Sequence, residues 1–166
     1  MAQVFLGLGS NVERERYIAA GLDALAELFG ELAISPVYDC PAVGFDGQPF
    51  YNLVVGVETT LSVGELARRL RAIEMAHGRA ADAPRFAPRQ LDIDILTYDD
   101  LTGVIDGVEL PRGELLNRAF VLRPMADLVP DLCHPLDGRS YASLWRAFGD
   151  DGGLRPAVYS WRGRPL

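Results

Sequence analysis

Leu91-Asp92-Ile93-Asp94-Ile95-Leu96-Thr97-Tyr98 reads as a strand, and the fold is read outward from it. Residues two apart on a strand point to the same face. Leu91, Ile93 and Ile95 therefore turn into a core, while Asp92 and Asp94 share the other face. Two adjacent like charges repel, and something must offset that. Magnesium does so well, because it is a hard ion that takes one or two carboxylates plus substrate phosphate oxygens. The plainer reading is an exposed strand face with two solvated carboxylates. Asp is disfavoured in strands, so a pair inside an apolar one weighs towards the metal.

Upstream, Val4 to Leu8 is a short apolar run that suits a buried strand. Gly9, Ser10 and Asn11 follow as turn and cap residues. Ile18, Leu22, Leu25, Leu28 and Phe29 recur at helical spacing from Glu13 to Phe29, with Gly30 placed to end that helix. Leu32 to Asp39 is a second strand, interrupted by Pro36 and so expected at an edge. Pro41 to Pro49 is a loop, and Tyr51 to Thr59 a third strand. Ser62 and Glu65 form a capping box for a helix to about His77. Gly78 to Gln90 lacks periodicity and reads as a mobile loop. Beyond the acidic strand, a hairpin is expected around Gly103 to Gly107, helices over Glu114 to Leu128 and Ser140 to Phe148, and an edge strand within Ala157 to Trp161. The order is β-α-β-β-α-β with a C-terminal extension. That is an α+β, ferredoxin-like sandwich, an antiparallel sheet with helices on one face, in one domain over residues 1–166.

Composition bounds the function. The chain has 166 residues, 49% of them hydrophobic, which suits one folded domain. No stretch approaches the roughly 18 apolar residues of a membrane span, and the N-terminus lacks a signal-peptide pattern. Cys40 and Cys133 have no CxxC spacing, so a reducing cytoplasm is expected. A net charge of −7 argues against general nucleic-acid binding. All 16 basic residues are Arg. A phosphate site here must therefore use Arg, metal ions and backbone amides, with no Walker lysine. Arg79, Arg85 and Arg89 cluster before Asp92, and Arg118 lies beyond it. Arg forks bind phosphate oxygens bidentately, so the cluster beside an acid pair makes a triphosphate site plausible. Any single one of these would read as a solvated loop residue. Gly7-Leu8-Gly9-Ser10-Asn11-Val12 resembles a dinucleotide fingerprint without its third glycine, and is better read as a tight strand-to-helix turn. Phe45, Phe50, Tyr51, Phe86 and Phe120 fall in or beside loops, where rings can stack on a flat heterocycle, and Asn52 can read its edge. Core packing is the alternative for each ring. His77 and His134 lack metal-ligand spacing.

These stretches together resemble 6-hydroxymethyl-7,8-dihydropterin pyrophosphokinases, over nearly the whole chain to about residue 145. The resemblance runs through Leu8-Gly9-Ser10-Asn11, Phe50-Tyr51-Asn52-Leu53, Gly78-Arg79, the signature from Arg85 to Leu96, and Asn117-Arg118-Ala119-Phe120. It implies transfer of the β,γ-pyrophosphoryl group of ATP to the hydroxymethyl oxygen of a reduced pterin, with AMP leaving, in folate biosynthesis. It further implies two Mg2+ ions on Asp92 and Asp94, and ATP phosphates on Arg79, Arg89 and Arg118, with Arg85 closing over them. Phe50 and Phe120 would sandwich the pterin, Asn52 would bond its edge, and Pro41, Val43 and Phe86 would line the pocket. Glu74 matches a recurring acidic position behind the site. Three positions depart from the pattern. Phe86-Ala87 stands for Trp-Gly, Pro111-Arg112 for Pro-His, and Cys40 for a small hydroxyl residue. Arg112 is expected to meet phosphate.

A diverged, non-catalytic paralogue that binds a nucleotide or a partner is the main competing reading, and the intact Asp92/Asp94 pair counts against it. A nucleotide-cofactor oxidoreductase built on the Gly7 to Val12 turn is weaker still. The chain is expected to act as a monomer on ATP and a reduced pterin, without nucleic acid or membrane.

Overall fold

A computed structural model describes residues 1–41, 47–78 and 90–166. β1 (Ala2–Ser10) is the strand on which the sheet is organised. It pairs antiparallel on one side with β4 (Phe50–Thr59) and on the other with β5 (Asp92–Tyr98). β4 carries β2 (Ala33–Ile34) and β3 (Tyr38–Cys40) on its far side. Strand β5 thus ends the sheet, β1 and β4 fill its centre, and the order is the ferredoxin-like one read from the sequence.

Alternation divides the strands between two cores. Leu6, Leu8, Leu53, Val55, Ile93 and Ile95 face one side. There they meet Ile18, Leu22 and Leu25 of α1 (Arg14–Phe29) and Leu66 and Leu70 of α2 (Val63–Ala76). Phe5, Val54 and Leu96 face the other side, which would otherwise expose them to water. The chain beyond β5 covers that side. α3 (Glu114–Asn117), α4 (Ala119–Leu128) and α5 (Tyr141–Phe148) contribute Leu115, Leu122, Met125, Tyr141 and Leu144 to it. Helices therefore lie on both faces: the two of the β-α-β-β-α-β unit on one, the C-terminal extension on the other.

Several local expectations hold. The Ser62 hydroxyl accepts a 3.2 Å bond from the Glu65 amide at the start of α2. Gly30 ends α1 with φ 81°. The hairpin forms from β6 (Gly103–Ile105) and β7 (Val108–Leu110). Others change. Ser10 is still strand, and Glu13, at φ 44°, precedes α1 without a side-chain cap. Pro36 splits the second strand into β2 and β3. Between them, Ser35 bonds β4 twice, its amide to the Val54 carbonyl and its hydroxyl from the Val54 amide, both at 2.9 Å. β3 is not an edge, because β8 (Arg155–Pro156) pairs with it. That added strand lies two residues before the expected stretch. Ser160–Trp161 instead forms β9 of a small hairpin with β10 (Arg164–Pro165). The expected helix over Glu114 to Leu128 breaks at Arg118, whose backbone is extended at φ −130° and ψ 120°. Among the described residues, no helix is long and apolar enough to cross a membrane.

Candidate functional site

Strand register brings Asp92, Gly9 and Asn52 side by side on neighbouring strands, with Asp94, Gly7 and Val54 in the next row. By alternation these residues share the face opposite Ile93 and Ile95. Both glycines lie within β1, Gly7 as the apolar run from Val4 to Leu8 predicts and Gly9, expected in the turn, as its penultimate residue. A Cβ at Gly9 would lie 2.8 Å from Asn52 Oδ1, and one at Gly7 3.3 Å from Leu96 Cδ2. Glycine is thus required for closeness. It leaves a bare floor between the acid pair on β5 and the amide on β4.

A cavity of about 710 Å³ stands on this floor. On the β4 side its walls are Phe50, Asn52, Pro41 and Phe120. On the β5 side α2 and β7 line it with Ala67, Leu70 and Val108, with Arg71 and Glu109 beside them. Arg112 and Arg118 also line it. The break at Arg118 matters here, because it ends α3 and lets α4 begin with Ala119-Phe120 at the cavity. Phe120, Pro41 and Arg118 are shared with a second cavity of about 200 Å³ behind them.

The acid pair is crowded. Burial, followed by the charge of Asp92, pushes the Asp94 carboxyl up to about 7. Arg112 opposes this, and Glu114 and Glu74 add to it. The Arg112 Nη2 lies 3.7 Å from Asp94 Oδ2, and its Nε donates to Glu114 Oε1 at 2.7 Å. Burial opposes the Arg112 charge, but Asp94 and Glu114 more than offset that and hold the guanidinium above its ordinary range. Its backbone amide donates to the Leu96 carbonyl at 2.8 Å, which fixes it beside β5. Glu74, 4% exposed, accepts the Ile93 amide at 2.8 Å through Oε2. It thereby holds the peptide between the two Asp residues at the open edge of the sheet. The donor set suits a hard cation: carboxylate oxygens that repel one another and gain from a positive charge. Among the described residues no group of three or more Asp, Glu, His or Cys is gathered to hold a metal by itself. A cation on Asp92 and Asp94 would complete its shell with oxygens of water or of a bound phosphate.

Cys40 lies behind the other half of the cavity. It is 1% exposed and its thiol donates to the Tyr38 carbonyl at 3.5 Å. Burial pushes that thiol up to about 12, with a hydrogen bond to Asn52 opposing. Cys40 is therefore a neutral packing partner of the amide. Both histidines are structural: His77 Nδ1 is 2.7 Å from the Ile73 carbonyl, and His134 Nδ1 accepts the Leu136 and Asp137 amides. Of the expected site residues, the structure gathers Asp92, Asp94, Arg112, Arg118, Pro41, Phe50, Asn52 and Phe120 around one cavity. Val43, Arg79, Arg85, Phe86 and Arg89 lie outside the described residues, as does most of the expected loops at Pro41 to Pro49 and Gly78 to Gln90. Sequence reasoning missed the glycine floor and the α2–β7 wall. The spacing of Ala67, Leu70, Arg71 and Glu74 along one helix face was the available signal for the wall.

A sequence model of the 7,8-dihydro-6-hydroxymethylpterin-pyrophosphokinase family matches residues 5–130. The 2-amino-4-hydroxy-6-hydroxymethyldihydropteridine pyrophosphokinase of Pseudomonas aeruginosa is 39% identical over 90% of this chain and 94% of its own length. The protein of that name from Aquifex aeolicus is 34% identical over 94% and 96%. Among solved structures, wild-type Plasmodium falciparum HPPK-DHPS with SDX-DHP shares the fold, with a TM-score of 0.71 at 14% identity. That match covers 100% of this chain, which spans about half (49%) of the longer one.

Proposed function

The chain belongs to the 7,8-dihydro-6-hydroxymethylpterin-pyrophosphokinase family, and from that premise we propose how its cavity performs an ATP-dependent pyrophosphoryl transfer in folate biosynthesis. The hydroxymethyl oxygen of 6-hydroxymethyl-7,8-dihydropterin bonds to the β-phosphorus of ATP. The bond from that phosphorus to the α,β-bridging oxygen breaks, AMP leaves, and the hydroxyl proton is released.

The single observation that carries this reading is the strand register that sets Asp92 opposite Asn52 across Gly9, with Asp94 in the next row beside Gly7, so that an acid pair faces an amide across a bare floor. Phosphoryl-type transfer asks mainly for alignment and charge neutralisation. Asn52 would hydrogen-bond the edge of the pterin, with Phe50 and Phe120 stacking on its faces and Pro41 closing the side. Ala67, Leu70 and Val108 form an apolar slot suited to the adenine. Between the two, Arg112 and Arg118 would meet the phosphates. Asp92 and Asp94 would hold two magnesium ions, which supply neutralisation of the charge on attacking and leaving oxygens. Glu74, by holding the Ile93 peptide, keeps both carboxylates aimed at the same place. Arg79, Arg85 and Arg89 complete the proposed phosphate set, and Val43 and Phe86 the proposed pterin wall. The reading treats residues 1–166 as one catalytic domain that works as a cytoplasmic monomer. Its net charge of −7 gives it no general affinity for nucleic acid.

No observation favours a non-catalytic paralogue, since the acids, the amide and both rings meet at one cavity. The experiment is product analysis after incubation with ATP, magnesium and the reduced pterin. AMP and a pterin diphosphate are expected in equal amounts. ADP with a pterin monophosphate would overturn the assignment of the bond broken, and no consumption of ATP would overturn the activity.

A further inference from the structure

The chain returns to the cavity after residue 148, well beyond the last residue matched by the family, 130. α5 ends at Gly149 and a tight turn follows. Asp150 Oδ1 accepts the Gly152 amide and Asp151 Oδ1 accepts the Gly153 amide, each at 2.9 Å. Gly152 and Gly153 are both left-handed, at φ 65° and 77°, a conformation that side chains resist. Space adds to this at Gly152, whereas Gly153 only touches its neighbour. A Cβ on Gly152 would lie 3.3 Å from the Ala119 Cβ, and one on Gly153 3.5 Å from Pro41 Cγ. Ala119 precedes Phe120, and Pro41 and Phe120 both line the large and the small cavity. From the turn the chain runs directly into β8, which pairs Arg155 with Asp39 and Pro156 with Tyr38, just before Cys40-Pro41. One short segment therefore backs both walls. The smaller cavity, lined by Pro41, Phe120, Phe148 and Leu154, lies between it and them.

The geometry points to the Asp150–Leu154 turn as a positioning element of the substrate site, setting the distance between Pro41 and Phe120 and so the fit of the flat heterocycle. This rests on the reading of Pro41 and Phe120 as walls of the pterin half of the cavity. The nucleotide half lies against α2 and β7, away from the turn. A push from the turn should thus be felt by the pterin and not by ATP. Space separates the turn's role from backbone strain in general. Gly163 is also left-handed, at φ 75°, but a Cβ there meets nothing within 4 Å.

The test is titration of the whole protein, with magnesium and a non-hydrolysable ATP analogue present, by reduced hydroxymethyl-pterin. Gly152→Ala adds a methyl against Ala119, which must give by a few tenths of an ångström, and is expected to weaken pterin binding about tenfold, a loss of about 1.4 kcal/mol. Its affinity for the ATP analogue stays at the wild-type value. Gly163→Ala, with the same backbone demand and no wall, leaves both affinities unchanged. Pterin affinity in Gly152→Ala equal to wild type would overturn the inference, as would an equal loss in Gly163→Ala. Should Gly152→Ala fail to fold, Asp150→Ala, which only frees the Gly152 amide, carries the same expectation at about threefold, and wild-type pterin affinity there overturns it. A wild-type protein that binds the ATP analogue but no pterin would overturn the functional reading itself, and the inference with it.

Discussion

At Asp94, burial and a neighbouring carboxylate act in the same direction. The folded protein keeps the proton on Asp94 up to about pH 7, against an ordinary value of 3.8. Between those values the folded state binds more protons than the unfolded one, so the ligand-free protein loses stability as pH rises from about 4 to 7. Asp94→Asn removes that loss. Its melting temperature should exceed that of the wild type at pH 8 but not at pH 4; a lower value at pH 8 would show that the carboxylate is well paired. The same change, or Asp92→Asn, should lower turnover by about a hundredfold or more, since metal charge stabilisation supplies several kcal/mol. Near-normal turnover would remove these residues from the proposed metal site. Gly9 makes a second prediction. Gly9→Ala puts a Cβ 2.8 Å from Asn52 Oδ1 and must turn the amide away. A lost polar contact of this kind costs about 1–3 kcal/mol, so pterin affinity should fall on the order of tenfold or more while the circular dichroism spectrum stays native. Unchanged pterin affinity would mean Asn52 does not read the pterin. The acid pair was legible in the sequence because alternation is local. The glycine floor was not, because its meaning comes from Asn52 and Asp92, which reach Gly9 only through strand register.

Among the elements, long strands with clear apolar content and helix ends with a capping residue were legible, whereas short or tertiary-dictated features were not. Ser62 with Glu65, and Gly30, mark helix ends by chemistry that needs no tertiary partner. Arg118 has no such mark: Asn117-Arg118-Ala119-Phe120 holds neither Gly nor Pro, and Leu115 and Leu122, seven residues apart, keep the face that one continuous helix would give them, so neither composition nor periodicity shows the break. β8 is two residues long and pairs with residues more than a hundred positions earlier, so it has no alternation to detect. His134, in the turn between α4 and α5, lacks metal-ligand spacing and has a structural task. His134, 2% exposed, accepts two backbone amides at Nδ1, at 3.1 and 3.0 Å, and can do so only when that nitrogen is unprotonated. Burial lowers its pKa below the ordinary 6.5, with Asp137 opposing. The unfolded chain therefore takes up the proton first. Stability supplied by neutral His134 is complete above about pH 6.5 and is lost as pH falls below it. Urea denaturation at pH 7.5 and 5.5 tests this. His134→Asn, whose side-chain oxygen can accept the same amides, should show a smaller drop in midpoint than the wild type, and an equal drop would assign the acid sensitivity elsewhere.

At the scale of the molecule, the cavity stands where the two layers meet. The β-α-β-β-α-β unit supplies the floor, the acids and the α2 wall, and the layer on the other face supplies Arg118 and Phe120. The C-terminal tail touches both sides of this arrangement with different consequences. Its turn backs the cavity, whereas its final hairpin crosses to the far face and packs on α1. There Tyr159 donates to the Glu15 carbonyl at 2.8 Å, and Trp161 Nε1 donates to Asp23 Oδ1 at 3.0 Å. Both rings are 8% exposed and belong to the first core. The ion pair of Arg162 with Asp23, 3.0 Å long, lies in solvent and contributes little by itself. The hairpin thus acts mainly through apolar burial, at a site separated from the cavity by the sheet. Trp161→Ala should lower stability by about 3 kcal/mol or more, the usual cost of truncating a buried Trp, read as a lower urea midpoint with an unchanged slope. At 25 °C, where the variant remains folded, its affinities for ATP and for the reduced pterin should match the wild type. A selective loss of pterin affinity in Trp161→Ala would mean that the whole tail, and not the Asp150–Leu154 turn alone, sets the cavity wall.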